Sequence, residues 1–229
     1  MPLAGGGAIC IWNDITDEGR DEFYAWHLTE HMPERVAVPG FRRGRRYIAL
    51  DTASRPEFFT LYETADTDVL TSPAYLARLN APTPWSAKMM PHHANMVRSQ
   101  CRVLESQGGA LARHALTVRL SPAEGAAPKL QAHLRGLAKL VAARAGTTAG
   151  HLLETQTPKI AATTEQKIRG GADAVADWIF IACGYDRAAL EHLAQVELGD
   201  GALVAAGARA GAIRGLYGLS HTNTAGDIG

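Results

Sequence analysis

Ser106-Gln107-Gly108-Gly109-Ala110 is the stretch on which the fold turns. Two adjacent glycines among small and polar residues read as a joint between elements. Upstream of it, Ala8 to Asn13 is a short apolar run of the kind expected for a strand covered on both faces. Asp17-Glu18 opens a helix, with acids where the helix dipole favours them, and Pro33 marks its end or an irregular turn. Pro39-Gly40 turns the chain into a strand over Phe41 to Leu50, and Glu57 to Thr64 is a third strand. Ser72-Pro73 caps a second helix that Pro82-Thr83-Pro84-Trp85 breaks, and a fourth strand follows from about Asn95 to Leu104.

Downstream of the joint the same order starts again. Ala115 to Leu120 reads as a strand. The next helix, from about Pro128 to Ala145, carries Leu130, Leu134, Leu137 and Val141 at helical spacing and stops at Gly146. Gly150 to Thr157 and Asp177 to Cys183 are the middle strands, Asp186 caps a helix with Leu190 and Leu193, and Ile213 to Leu219 closes the series. The long polar connection from Pro158 to Ala174 reads as a surface excursion or a lid. Each half, 1–107 and 108–229, is thus β-α-β-β-α-β, a ferredoxin-like unit with helices on one sheet face only. The bare face must be covered, and two such halves in one chain cover each other. The expected fold is α+β: two tandem ferredoxin-like halves forming one α/β barrel of the dimeric type within a single chain.

Composition supports an ordinary globular protein, 46% hydrophobic and 20% charged over 229 residues. Lys plus Arg and Asp plus Glu are both 23, so the basic excess of a nucleic-acid binder is missing. The one basic cluster, Arg42-Arg43-Gly44-Arg45-Arg46, falls inside a strand. No run approaches a membrane span, and Met1 to Gly7 does not read as a signal peptide. Three sparse cysteines, Cys10, Cys101 and Cys183, fit core positions in a reducing compartment, and a cytoplasmic protein is expected.

The segment richest in chemistry is Trp26-His27-Leu28-Thr29-Glu30-His31-Met32-Pro33. At about 100° per residue, with Phe23 as zero, His27 falls near 40° and His31 near 80°, between Trp26 near −60° and Tyr24 near 100°. That places both imidazoles beside aromatics at the edge of the helix–sheet interface. Imidazole suits general acid or base work near neutral pH. The structural alternative is a pair of interface histidines bonded to backbone or to Glu30 and Glu63. A zinc site of the His-Glu-x-x-His type is excluded, because Leu28 follows His27. Trp12, Tyr62 and Trp85 belong to flanking elements and could wall a pocket. Arg45 and Arg46 point to opposite strand faces, and a pocket-facing Arg suits a carboxylate, enolate or phenolate. His92 and His93 diverge similarly and are assigned no role. Gly-x-Gly-x-x-Gly, Walker, Cys-x-x-Cys and Gly-x-Ser-x-Gly patterns do not occur, which removes nucleotide, dithiol and hydrolase-elbow readings.

These residues resemble the dimeric α/β-barrel superfamily, and over about residues 8 to 105 its EthD-like branch. The resemblance is carried by the apolar first strand with Trp12, by Phe23-x-x-Trp26-His27-x-x-x-His31-Met32-Pro33, by Val38-Pro39-Gly40-Phe41 and by Arg46-Tyr47. It implies a pocket between sheet and helices, with no cofactor and no metal, acting on small, often aromatic compounds. A first-helix histidine serves as acid or base in several branches, and that role maps onto His27 or His31. Many members are homodimers, so a homodimer is allowed here as well; the expected partner is a small-molecule ligand.

The leading expectation is a cofactor-independent lyase, dehydratase or isomerase. His27 or His31 moves a proton, and Arg46, Tyr47 or Tyr62 holds the oxyanion. Trp12, Trp26 and Trp85 complete the expected substrate surround. A haem protein with His133, His151 or His192 as axial ligand is one alternative. A non-catalytic binding or stress-associated barrel is another, and it predicts fully satisfied histidines with no cavity beside them.

Overall fold

The computed structural model describes residues 2–156, 158, 160–170 and 173–227. Met1, Ile228 and Gly229, the outer ends of the two expected halves, lie outside the described residues, as does Thr157 at the end of an expected strand.

Eight strands close into one antiparallel barrel. They are β1 (Gly7–Ile15), β2 (Phe41–Ala49), β3 (Phe58–Thr64), β4 (His93–Gly108), β5 (His114–Leu120), β6 (Thr147–Thr155), β7 (Trp178–Gly184) and β8 (Ile213–Thr224). Around the barrel they run β1-β3-β2-β8-β5-β7-β6-β4. The first four are therefore ordered β4-β1-β3-β2 and the last four β8-β5-β7-β6, the same arrangement twice. The groups meet edge to edge at β2–β8 and β4–β6, so the two sheets share hydrogen bonds as well as facing each other. Closure leaves no unpaired edge.

Alternation decides what each strand sends inward. The interior holds Trp12, Tyr47, Phe59, Leu61, Ile179, Ile181 and Tyr217 together with Cys10, Cys101 and Cys183. All three cysteines are buried and unpaired. At one end of the barrel Glu63 is buried against Arg45 and Arg43, and it also accepts from the Ala4 N–H at 2.7 Å. Burial would raise the Glu63 carboxyl, but the two guanidiniums outweigh it and hold it below the usual carboxylate range.

Helices clad the outside. Over the first group lie α1 (Arg20–Trp26), a π-helical turn His27–His31, α2 (Met32–Val36), α3 (Pro73–Asn80) and α4 (Pro84–Met89). Over the second lie α5 (Ala127–Ala143), α7 (Arg187–Gln195) and α8 (Asp200–Ala206). Between β6 and β7 runs α6 (Thr164–Arg169). In α5, Leu130, Leu134, Leu137 and Val141 are all buried, and each such side chain stabilises the fold by roughly 2 kcal/mol. Two glycines let helices approach the sheet closely. A Cβ on Gly44 would meet Met32 Cγ at 2.9 Å, and one on Gly150 would meet the Ala138 backbone at 2.8 Å.

Some elements differ from expectation. The helix does not end at Pro33 but continues to Val36. Pro84-Trp85 stops α3 as expected, yet also begins α4, because Thr83 caps it through the Ser86 N–H at 3.0 Å. Helix α8 was not anticipated. β8 runs five residues beyond Leu219, with consequences at the site.

Candidate functional site

Pro33 sets up the local backbone. It has no N–H to give the Thr29 carbonyl four residues back, and its ring crowds that carbonyl. The helix widens there, so that the Met32 N–H donates to the His27 carbonyl five residues behind it. Such π-turns recur at functional sites. Both imidazoles are thereby turned inward rather than held at the interface edge. His31 stacks on Trp26 with ring centres 4.3 Å apart, His27 packs on Phe23 at 5.3 Å, and the imidazoles are 5.6 Å from each other.

Between this turn and the outer face of β1, β3 and β4 lies a cavity of about 60 Å³. His27, His31, Arg35, Tyr62 and His93 are among its walls. Among the described residues, Nδ1 of His27, Nδ1 of His31 and the Tyr62 hydroxyl are buried with no hydrogen-bond partner. The carboxylates that would have satisfied the imidazoles are engaged elsewhere. Glu30 accepts from Thr83 Oγ1 at 2.6 Å, and Glu63 lies inside the barrel.

Burial pushes both imidazoles well below their ordinary value. Arg46 and His221 add to this for His27, and Arg35 and His27 for His31. Burial, helped by Arg169, brings His93 down to about 4. The imidazoles are therefore neutral at pH 7 and free to accept a proton.

Arg46 borders this group. Its guanidinium carbon sits 4.9 Å from the Tyr24 ring centre and 5.3 Å from that of Phe23. Its hydrogen-bonding contact is Ser220 Oγ at 3.4 Å, and Nε and one terminal nitrogen are buried without a partner among the described residues. Burial lowers it to about 10, which leaves it charged at pH 7.

Three expected substrate-surround residues, Trp12, Tyr47 and Trp85, do not reach the cavity. Trp12 and Tyr47 point into the barrel, where Trp12 stacks on Phe59 and donates to Thr117 Oγ1 at 3.3 Å. β1 is apolar on both faces and β2 carries arginines on both, so sequence could not tell which face the helices cover. Tyr47 on that inner face cannot hold an oxyanion formed beside His27. Trp85 is half-buried on α4 with its N–H on Glu22 at 2.9 Å, beside Trp26 rather than in the cavity wall. Trp26, Arg46, Tyr62, His27 and His31 are brought together.

The structure adds residues that sequence reasoning missed. His93 lines the cavity. His221, on the extension of β8 opposite Arg46, brings its ring within 5.8 Å of His27. Arg35 and Glu165 form a buried ion pair across 130 positions of sequence. Glu165 arrives on α6, whose capping box at Thr163 and Gln166 fixes its start and whose Thr164 N–H bonds Asn80 Oδ1 of α3 at 3.0 Å. The described part of the 158–174 connection therefore lies over the site rather than in solvent.

The second group holds no equivalent. Its helix–sheet space is filled by Val118, Leu130, Leu134, Leu152, Phe180 and Leu190 with their neighbours, all apolar. His133 and His192 are exposed, and His151 is inside the barrel 2.8 Å from Ser106 Oγ. A haem held axially by any of these three does not fit that packing. Among the described residues, no three His, Cys, Asp or Glu side chains converge to hold a metal ion.

No family model and no curated protein sequence matches the chain. Solved structures do. An anthrone oxidase-like protein superposes with a TM-score of 0.68 at 13% identity, covering 97% of this chain and 94% of that one. A candidate monooxygenase from Lactobacillus acidophilus NCFM gives 0.60 at 8%, covering 96% and 97%. A candidate chlorite dismutase gives 0.56 at 12%, covering 100% and 98%. At these identities the likeness is one of architecture: over its whole length the chain has the ferredoxin-like α/β-barrel fold that these proteins share.

Proposed function

We propose that the chain is an acid/base enzyme that takes a proton from a small aromatic or otherwise conjugated metabolite, using His27 or His31 as base. The observation that carries this reading is the pair of imidazoles beside a cavity whose buried Nδ1 atoms lack partners among the described residues, with the Arg46 guanidinium, two of its nitrogens likewise unpartnered, at their flank. A stable fold has no reason to leave so many buried polar atoms unpaired in one place, since each costs about 1–3 kcal/mol. Removal of a proton next to a carbonyl, or from a phenol, leaves an oxyanion. Arg46 and the Tyr62 hydroxyl are the donors that would hold it. From that enolate or phenolate, reprotonation elsewhere gives an isomerase and expulsion of a leaving group gives a lyase or dehydratase. The closer affinity to the EthD-like branch rests on the first strand with Trp12, on Phe23 to Pro33, on Val38 to Phe41 and on Arg46-Tyr47, and the three free cysteines suit a reducing, cytoplasmic setting. The barrel closes within one chain, so the site needs no second copy to exist.

5-Nitrobenzisoxazole tests the base directly. Its ring opens to a coloured phenolate once a single carbon-bound proton is removed, and no other chemistry is needed. Wild-type protein should accelerate the opening, and His27→Gln combined with His31→Gln should remove about 10²–10⁴-fold of that rate. Because the imidazoles are held below their ordinary value, the wild-type rate should stay level from pH 8 down past 6.5. Equal rates in the two proteins would sink the reading.

A further inference from the structure

Resting on the reading above, we propose that the substrate carries a carboxylate, and that Glu165 of α6 occupies the seat of that carboxylate on Arg35 when no substrate is bound. Arg35 is buried beside the histidines, and Glu165 is almost equally buried. Two features separate this pair from a simple structural tie. Arg35 still has one terminal nitrogen buried with no partner among the described residues, so the single carboxylate does not exhaust the guanidinium. Unpartnered donors also gather around it, beside the Nδ1 atoms of His27 and His31. Tyr62 hydroxyl, Arg46 Nε and Arg169 Nε are likewise unpartnered, while Glu165 is the one carboxylate in the cavity wall. A planar anion that meets a guanidinium through two oxygens satisfies such an arrangement better than a neutral ligand can.

Size points the same way. The cavity of about 60 Å³ has room for about two waters. Small-molecule sites measure roughly 300–1,000 Å³. A benzene ring enters only if something in the wall withdraws. Among the described residues, Glu165 and Arg169 are the wall residues that come from the far half of the chain, both on the six-residue α6, and Glu165 is the one seated on Arg35. Its side chain leaves the seat vacant for a second carboxylate of the same geometry. Displacement of like by like keeps Arg35 paired throughout, which matters because an unpaired buried charge is strongly unfavourable. The aromatic part of the ligand then lies toward His27 and His31, placing the proton to be removed at the opposite end of the molecule from the anchoring group.

Benzoate and its neutral isostere benzamide test this by calorimetric titration. Glu165→Gln should bind benzoate at least tenfold more tightly than wild type, since its competitor is gone, and benzamide should show no such gain. Adding Arg35→Met to Glu165→Gln should abolish the gain. In the unaltered protein, benzoate should speed hydrogen exchange of the α6 amides 164–169, a readout that holds even if Glu165→Gln fails to fold. Equal benzoate affinity in wild type and Glu165→Gln, a gain shared by benzamide, slowed exchange in α6, or no benzoate binding to either protein would each overturn the proposal. The titration repeated in His27→Gln/His31→Gln keeps the two questions apart. Benzoate binding survives there even if the ring-opening assay fails, so failure of the base does not carry failure of the carboxylate seat with it.

Discussion

The two halves of the barrel use one strand order to opposite ends. Over the second, α5, α7 and α8 press leucines onto Val118, Leu152 and Phe180, and every side chain in that cluster is apolar. Over the first, the corresponding space contains the imidazoles of His27, His31 and His93, several arginines, a glutamate brought from the other half, and a cavity. The dry half shows how the fold is filled when only stability counts. The wet half departs from that solution between its helices and its sheet, where several polar atoms beside one cavity are buried without partners among the described residues. Sites that violate the packing rules a chain obeys elsewhere are where function is found.

The contrast makes quantitative demands. Leu134 is fully buried between α5 and the sheet, so Leu134→Ala should cost about 4 kcal/mol, read from the urea midpoint at pH 7. A loss below about 1 kcal/mol would mean that the second half is as loosely filled as the first. Acid should act mainly on the first half. His27, His31 and His93 are held below the ordinary imidazole value by burial. Below about pH 6.5 the unfolded chain therefore binds protons that the folded chain refuses, and stability present above that pH is lost as it falls. Between pH 7 and pH 6 the three together contribute a loss of roughly 2 kcal/mol. Urea titrations at both pH values should show a drop in wild type and a smaller one in His27→Gln/His31→Gln/His93→Gln, where His151 and His221, held at about 3 and about 4, still respond. An unchanged slope would place the acid sensitivity elsewhere.

Much of the fold was legible because its signals are local. Apolar runs, the Ser72 and Asp186 caps and the leucine spacing of α5 each fix an element without reference to the rest of the chain. Their repetition about Gly108-Gly109 then gave the topology. The site was legible only where it, too, was local, in Trp26 to His31. What escaped was set by pairing across the chain. Glu165 reaches Arg35 only because α6 folds over from the other half, and His221 reaches His27 only because β8 continues along β2. His93 looked no different from His92 until the register of β4 on β1 put it on the helix side. Trp12 and Tyr47 went to the wrong side for the converse reason: a strand with like residues on both faces, apolar in β1 and arginine-bearing in β2, does not say which face looks into the barrel.

The finest test of the contrast is His31→Phe. Phenylalanine keeps the ring that stacks on Trp26 at 4.3 Å, and the adjoining cavity can take its extra atom. It also removes the buried Nδ1 that has no partner among the described residues. If the imidazole is there for chemistry, the exchange deletes an unsatisfied polar group, and stability should change by less than about 1 kcal/mol, toward the stable side. Ring opening of 5-nitrobenzisoxazole should fall in the same protein if His31 is the base, and persist if His27 is. A destabilisation of about 3 kcal/mol, measured in urea at pH 7, would instead mean that the imidazole holds the fold together through a bond of its own, and the first half would be a polar core rather than a site.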